Sequence, residues 1–406
     1  MIIAIINLLR YPMFNKKNLL IINYAGDYKN VFLTLKNGGG ETYHAQRYSV
    51  NFLGELVKLN IFVTTIVCIT ETYYDECLDN GVRAIGLGAK IVDENVIWQK
   101  INEIKPTHLL FTTPLKKTIF KSLLAGFNIS LALADSFKQD TFKQKLTAFL
   151  LRKCFNHKNI QWIGNHNINS CLSLKKIGVN PEKIIPWDWP HYSSPNDFPP
   201  KKHLVKNNWN LIFVGTVTKT KGVGDIIQAT ANLIKQGFDV SLKIVGKGDL
   251  ILFEKLVQRL NVCEKITFTG LLDHKAILGL MRESDLVIIP SHHEYPEGLP
   301  LTIYEALTSR TPIVASDHPM FAGRLVNNVS ASIFPAKNID LLAHAIKALI
   351  VNASAYEQLS IASENAWRKL QIPVKYGQFV SAWLEDTKES REFLMSNSLA
   401  NGNYIE

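Results

Sequence analysis

The 406-residue chain has the length of two domains, and a hydrophobic fraction of 47% gives each of them material for a core. Its net charge of +10 favours anionic partners such as a nucleotide or a phospholipid head group; zinc-finger spacing and an aromatic RNA-binding run are both missing, which argues against a nucleic-acid module. Five cysteines without a C-x-x-C pair argue for free thiols in a reducing, cytoplasmic setting, and no apolar run reaches the ~18 residues a membrane span needs.

Residues 1–9 are apolar but broken by Asn7, with no basic leader and no small-residue cleavage site. They are expected to form a loose extension or a first strand rather than a signal peptide. Residues 19–23 (Leu-Leu-Ile-Ile-Asn) read as the first core strand. A polar loop follows, then Asn37-Gly38-Gly39-Gly40-Glu41-Thr42 opens a helical stretch to about residue 59. Strand, glycine-rich turn and helix let backbone approach a phosphate or sugar closely, although three glycines also suit a merely flexible turn.

Apolar or β-branched runs at 61–69, 82–87, 107–113, 129–134, 161–164 and 183–186 follow in a βαβ order, which implies a parallel sheet with right-handed crossovers. Asp135 ends the run 129–134. Ligands of such sheets collect beyond the strands' carboxyl ends, but Asp135 also suits a helix N-cap. Residues 137–158 are basic and amphipathic: Phe142, Leu146, Phe149 and Leu150 share one spacing, and Lys143, Lys145, Arg152 and Lys153 fill other faces. Such a helix either lies in a membrane interface or packs its apolar stripe on its own sheet.

Pro186-Trp187-Asp188-Trp189-Pro190 and the proline-rich stretch 193–202 have a linker's composition, which places the domain boundary near residue 200. Beyond it, runs at 211–215, 242–246, 266–270, 286–291 and 312–316 read as successive core strands, with an edge strand at 331–334. Helices are expected near 223–236, 250–260, 273–283, 300–308 and 339–351, and again at 376–384, where Phe379, Val380 and Trp383 are apolar. Residues 393–406, rich in Ser and Asn, are expected to be a flexible tail.

The stretch Glu297-Gly298-Leu299-Pro300-Leu301-Thr302-Ile303-Tyr304-Glu305 places two carboxylates around a Gly-Leu-Pro corner. Glu297 is expected on the loop leaving strand 286–291, and Glu305 about two turns into the next helix, with Pro300 at its first position. The helix N-terminus between them offers unpaired N–H groups to a diphosphate, and carboxylates accept from the hydroxyls of a sugar or ribose. Two glycine turns follow core strands upstream: Gly215-Thr216 through Lys221-Gly222, and Gly246-Lys247-Gly248-Asp249. His292 and His293 precede Glu297, but neighbours on an extended loop point apart, so a shared metal is not expected.

In these residues, and in Ala306-Leu307 and Arg310-Thr311-Pro312-Ile313-Val314-Ala315-Ser316-Asp317, the chain resembles the retaining nucleotide-sugar glycosyltransferases of family 4, such as those of bacterial surface polysaccharides. The resemblance is dense over 209–350 and thinner before. It implies an α/β GT-B fold of two Rossmann-like domains facing across a cleft. An acceptor-side domain would span 1–200 and a nucleotide-sugar-binding domain 201–370. A helix at 371–392 would cross back to the first domain, ahead of the tail at 393–406.

The same resemblance implies that Glu297 holds the hexose and Glu305 the ribose, and that Gly215, Thr216, Lys221, Gly246, Gly248, Gly298 and Leu299 contact the donor. Glu297, Lys221 and Asp135 would be the catalytic groups, and Gly39 and Gly40 the loop toward the acceptor. Where the family's phosphate turn has an arginine, this chain has Thr216, a hydroxyl in place of a fixed cationic fork; Lys219 is a candidate substitute. The implied activity is transfer of a sugar to a glycan or lipid-linked acceptor, without a metal or other cofactor. It would take place in the cytoplasm, or peripherally at an anionic membrane surface. A GT-B epimerase or hydrolase acting on the nucleotide-sugar and a non-catalytic nucleotide-sugar or glycan binder are the alternatives, the last favoured by Thr216.

Overall fold

The computed structural model describes residues 17–24 and 26–404; the apolar stretch 1–9 lies outside them. The chain divides into two units. Of the described residues, the first holds those up to Gly39, Ala45–Asp188 and those from Pro373 to Tyr404, and the second holds Gly40–His44 and Trp189–Ile372. The division falls at Asp188 rather than near residue 200, because the proline-rich stretch is packed into the second unit: Arg310 Nε donates to the Pro195 carbonyl at 2.6 Å, and Lys201 N to Ser360 Oγ at 2.7 Å.

The first unit is built on β1 (Asn18–Asn23), β2 (Phe62–Val67), β3 (Tyr73–Cys77), β4 (Arg83–Leu87), β5 (His108–Phe111), β6 (Asn128–Leu133), β7 (Ile160–His166) and β8 (Ile184–Trp187). They form one sheet in the order β3-β4-β2-β1-β5-β6-β7-β8, parallel except where β3 runs antiparallel to β4. Helices α1 (Tyr28–Lys36), α2 (Gln46–Lys58), α3 (Glu94–Ile104), α4 (Lys116–Leu124), α5 (Phe142–Phe155) and α6 (Ile168–Lys176) fill the connections. Leu19, Leu20, Ile21 and Ile22 are all buried, so β1 is covered on both faces and reads as an unbroken apolar run.

Two expectations fail here. The polar loop after β1 holds α1, whose N-terminus is capped by Asp27 accepting from Asn30 N. Asp135 caps no helix: α5 starts at Phe142 behind a capping box of Thr141 and Gln144.

The second unit is an all-parallel sheet of β9 (Asn208–Val214), β10 (Asp239–Val245), β11 (Ile266–Gly270), β12 (Leu286–Ile289), β13 (Ile313–Ser316) and β14 (Ser332–Phe334). Its helices are α7 (Val223–Lys235), α8 (Leu250–Arg259), α9 (His274–Glu283), α10 (Leu301–Thr308), α11 (Ile339–Val351) and α12 (Ala353–Leu370). Side chains alternate along β9: Leu211 and Phe213 join one core cluster with α7 and α11, and Ile212 joins the other with α9 and α10. In the strand order β11-β10-β9-β12-β13-β14, the chain winds outward one way from β9 and the other way from β12. The loops leaving β9 and β12 therefore flank a switch point, where sheets of this kind bind ligands.

The C-terminal segment, α13 (Tyr376–Glu385) and α14 (Lys388–Ser396), belongs to the first unit. Phe379, Val380 and Trp383 are buried, and Trp383 Nε1 donates to Gln161 Oε1 at 2.7 Å. The expected tail is packed rather than flexible as far as Tyr404. Leu394 and Ser398 are buried, Leu399 N donates to the Ile184 carbonyl, and the Tyr404 hydroxyl donates to the Asn397 carbonyl. No single helix among the described residues is long and apolar enough to cross a membrane. α11 and α12 pass that test only as a pair bent by 95°, and both contribute to the core.

Candidate functional site

At the switch point the two glycine turns are stitched together by backbone. Gly215 N donates to the Val245 carbonyl, Val217 N to the Lys247 carbonyl and Asp249 N to the Val217 carbonyl, all within 2.9 Å. The contact is too close for side chains: a Cβ on Gly246, at φ +143°, would stand 1.8 Å from the Gly215 carbonyl oxygen, and one on Gly248 2.2 Å from that of Val217. Gly222, at φ +74°, opens α7 against the end of β12, where a Cβ would meet the Pro290 carbonyl oxygen at 2.1 Å.

These turns, the loop after β12 and the start of α10 enclose a cavity of about 230 Å³. Thr216, Lys221, Lys247, Glu297 and Glu305 line it, and so do Thr42, Tyr43 and His44 of the short segment that belongs to this unit. α10 begins at Leu301 after Pro300, which stands at the cap position without a side-chain cap; Ile303 N donates to the Pro300 carbonyl at 2.9 Å, and the N–H groups of Leu301 and Thr302 have no partner from a preceding turn among the described residues. Glu305 lies one turn in, not two.

The two glutamates are held alike. Glu297, 5% exposed, forms an ion pair with Lys221 and accepts from Ser291 Oγ at 2.8 Å, both through Oε1. The Lys221 ammonium also stands 4.5 Å from the centre of the Tyr295 ring. Glu305 Oε1 lies 3.0 Å from His274 Nδ1. In each carboxylate Oε2 makes no hydrogen bond among the described residues, which leaves one acceptor oxygen per glutamate for a ligand hydroxyl.

Behind Glu305 runs a chain of imidazoles that the sequence did not announce. His274 Nε2 is 3.2 Å from His44 Nδ1, and His44 Nε2 is 3.0 Å from the Pro190 carbonyl oxygen. The His191 ring stacks on His44 at 5.1 Å and on Tyr304 at 4.4 Å. Burial alone would lower the His274 imidazole, but the Glu305 hydrogen bond and charge, with Glu41 and Asp273, raise it above its ordinary value. His44 is lowered by burial and by its two histidine neighbours.

The other expected site residues fall elsewhere. Lys219 lines a different cavity, of about 520 Å³ between α7 and α8, so it does not stand in for the missing arginine. His292 and His293 turn to separate carboxylates, Asp225 and Asp317, each at 2.7 Å. Gly298 and Leu299 form the corner before α10, with Leu299 buried. Gly40 lies against the Asp273 carboxylate, which caps α9, and Gly39 lies in the first unit against Thr34. Asp135, in the first unit, exchanges backbone hydrogen bonds with the Asn165 side chain, and burial raises its carboxyl.

A parallel sheet with two glycine turns and two anchored glutamates at its switch point defines a domain of Rossmann type. Residues 196–366 match the family described as Glycosyl transferases group 1. Alpha-D-kanosaminyltransferase of Streptomyces kanamyceticus is 29% identical over 38% of this chain and 39% of its own length. Phosphatidyl-myo-inositol mannosyltransferase of Mycobacterium leprae is 29% identical over 43% of this chain and 46% of its own. The chain thus spans less than half the length of these curated relatives. Over both units the fold is that of GT-B glycosyltransferases: the structure of Anabaena Alr3699/HepE in complex with UDP and glucose aligns with a TM-score of 0.61 at 14% identity, covering 87% of this chain and 95% of that one.

Proposed function

We propose that the chain is a glycosyltransferase that moves a sugar from a nucleotide-sugar to a glycan or lipid-linked acceptor with retention of configuration. The observation that carries this reading is the pair of glutamates on either side of the α10 N-terminus, each with one oxygen unused, in a cavity shared with Lys221 and Lys247. Glu297 takes the hexose hydroxyls and Glu305 the ribose. Lys221 and the α10 N–H groups stabilise the departing diphosphate. The bond from the anomeric carbon to the diphosphate breaks as the acceptor oxygen attacks from the same face, and a diphosphate oxygen takes the acceptor's proton. No protein base is required, and the phosphate charge is met by lysines rather than a metal. Gly39, Gly40 and Asp135 keep the acceptor-side roles.

The UDP and glucose bound by the Anabaena protein make UDP-sugars the first donors to test. A donor at ~100 times its dissociation constant stabilises the fold by ~2.7 kcal/mol, which a thermal-shift screen of nucleotide-sugars reads directly. Donor consumption then decides the class. A transferase needs an added acceptor, a hydrolase or epimerase consumes donor alone, and a binder consumes none.

We further propose that the protein works at an anionic membrane surface. Support comes from α5, whose stripe of Phe142, Leu146, Phe149 and Leu150 is 44–84% exposed instead of packed on the sheet, with Phe120 and Leu124 of α4 also exposed.

A further inference from the structure

Resting on the donor-site reading above, the proton count in the cavity wall says what replaces the missing arginine. The Pro190 carbonyl only accepts, so His44 Nε2 must donate to it. The Glu305 carboxylate also only accepts and stands 3.0 Å from His274 Nδ1, a contact that attracts when that nitrogen carries a hydrogen and sets lone pair against lone pair when it does not. The 3.2 Å contact between His44 Nδ1 and His274 Nε2 needs one more hydrogen between two ring nitrogens. Three N–H groups are required, and two neutral imidazoles supply two.

We propose that the His44–His274 pair carries a third proton, so that an imidazolium fixes Glu305 and cancels its charge in the cavity that receives the donor diphosphate. The proton resides on His274, which faces Glu305 from α10, Glu41 from the 40–44 segment and Asp273 of its own cap. His44 is lowered by burial, His191 and His274, and Glu305 only partly offsets them. The remaining charged groups lining the cavity are Lys221, Lys247 and Glu297. With the third proton the lining is net positive by one charge; without it the lining is neutral and a bare Glu305 faces the phosphates. Thr216 is tolerated because this proton supplies the charge the arginine would have given. His274 is thus a positioning residue that acts through Glu305.

The sign follows from the raised His274 value. Diphosphate affinity is full where an ordinary imidazole is protonated, persists somewhat above that range, and falls as pH rises through the His274 titration. The test has two arms. Nitrogen-15 NMR of the ligand-free chain at pH 7 should show both His274 nitrogens protonated, and a single protonated nitrogen there overturns the inference. Calorimetric titration should show UDP binding weakening about tenfold from pH 6 to pH 9 while uridine, which lacks the diphosphate, changes little. His274→Gln should bind UDP at the parent's alkaline level at every pH, and His274→Lys should bind tightly throughout. A pH-independent UDP affinity in the parent overturns the inference and leaves the donor reading intact. Failure of every nucleoside diphosphate to bind would count against the donor reading, and the NMR arm would still decide the proton.

Discussion

Glu297 and Lys221 are bound to each other before any ligand arrives, and this shapes what their substitutions should do. Glu297→Gln removes the charge that compensates a largely buried ammonium, so it should lower the melting temperature as well as turnover. Glu305→Gln should instead weaken nucleotide binding, by the ~1.5–3 kcal/mol of a hydrogen bond to a charged group. Fluorimetric titration showing unchanged nucleotide affinity in the Glu305 variant would remove the ribose assignment. Lys221→Ala strips the cavity of a cation and leaves Glu297 uncompensated beside the diphosphate, so turnover should drop by ~2.7–4 kcal/mol in barrier. Lys219→Ala, at an exposed position lining the other cavity, should stay within ~0.5 kcal/mol. Equal small losses in steady-state kinetics would defeat the phosphate-turn assignment. Both glutamates and Lys221 were legible in the sequence because a short motif fixes their local geometry. His274 and His44 were not, since they meet across |i−j| = 230 between a helix start and a loop, where no spacing marks the partner.

At the scale of elements, burial decided what could be read. The core strands of both sheets were legible as apolar runs because both faces are covered. β3 was missed because Tyr-Tyr-Asp-Glu-Cys buries only Tyr74, and α1 because Tyr28 alone is buried, which leaves no apolar period to detect. α12 hides its inward face behind Ser360 and Ser363, polar residues at core positions. For α5 the sequence supported two readings, and the exposed stripe favours the interfacial one: Lys143, Lys145, Arg152 and Lys153 are exposed around it, and Ala148, Leu151 and Phe155 hold the helix to the sheet. Each such cation contributes ~1 kcal/mol at an anionic surface. Replacing the four by Gln should therefore weaken co-sedimentation with phosphatidylserine-containing vesicles at low salt. Phe142→Ser with Leu150→Ser should do the same with little change in melting temperature, since both side chains already face outward. Parent protein that ignores the vesicles and dimerises in the ultracentrifuge would assign the stripe to a second copy.

For the whole molecule, the chain order of the domains conceals which pieces fold together. The linker composition at 193–202 pointed to a boundary, but prolines there are seated on the second unit, and the segment after Pro373 returns to the first. That return adds buried apolar side chains to the first unit. Phe379, Val380, Trp383 and Leu384 are at most 1% exposed, and each such side chain contributes ~1.5–3 kcal/mol on burial. The total rivals the ~5–15 kcal/mol net stability of a typical domain. Tyr48 and Gln161 also lose the partners that Gly377 N and Trp383 Nε1 supply. A chain ending at Ile372 should therefore keep a folded second unit, whose two core clusters draw nothing from beyond that point, and lose the first. Calorimetry should show one transition near the parent's second-unit melting temperature, with partial loss of far-ultraviolet ellipticity. Adding residues 373–406 back as a separate peptide should restore part of the missing signal. A truncated chain that kept both transitions would show that the first sheet is stable without its returning helices.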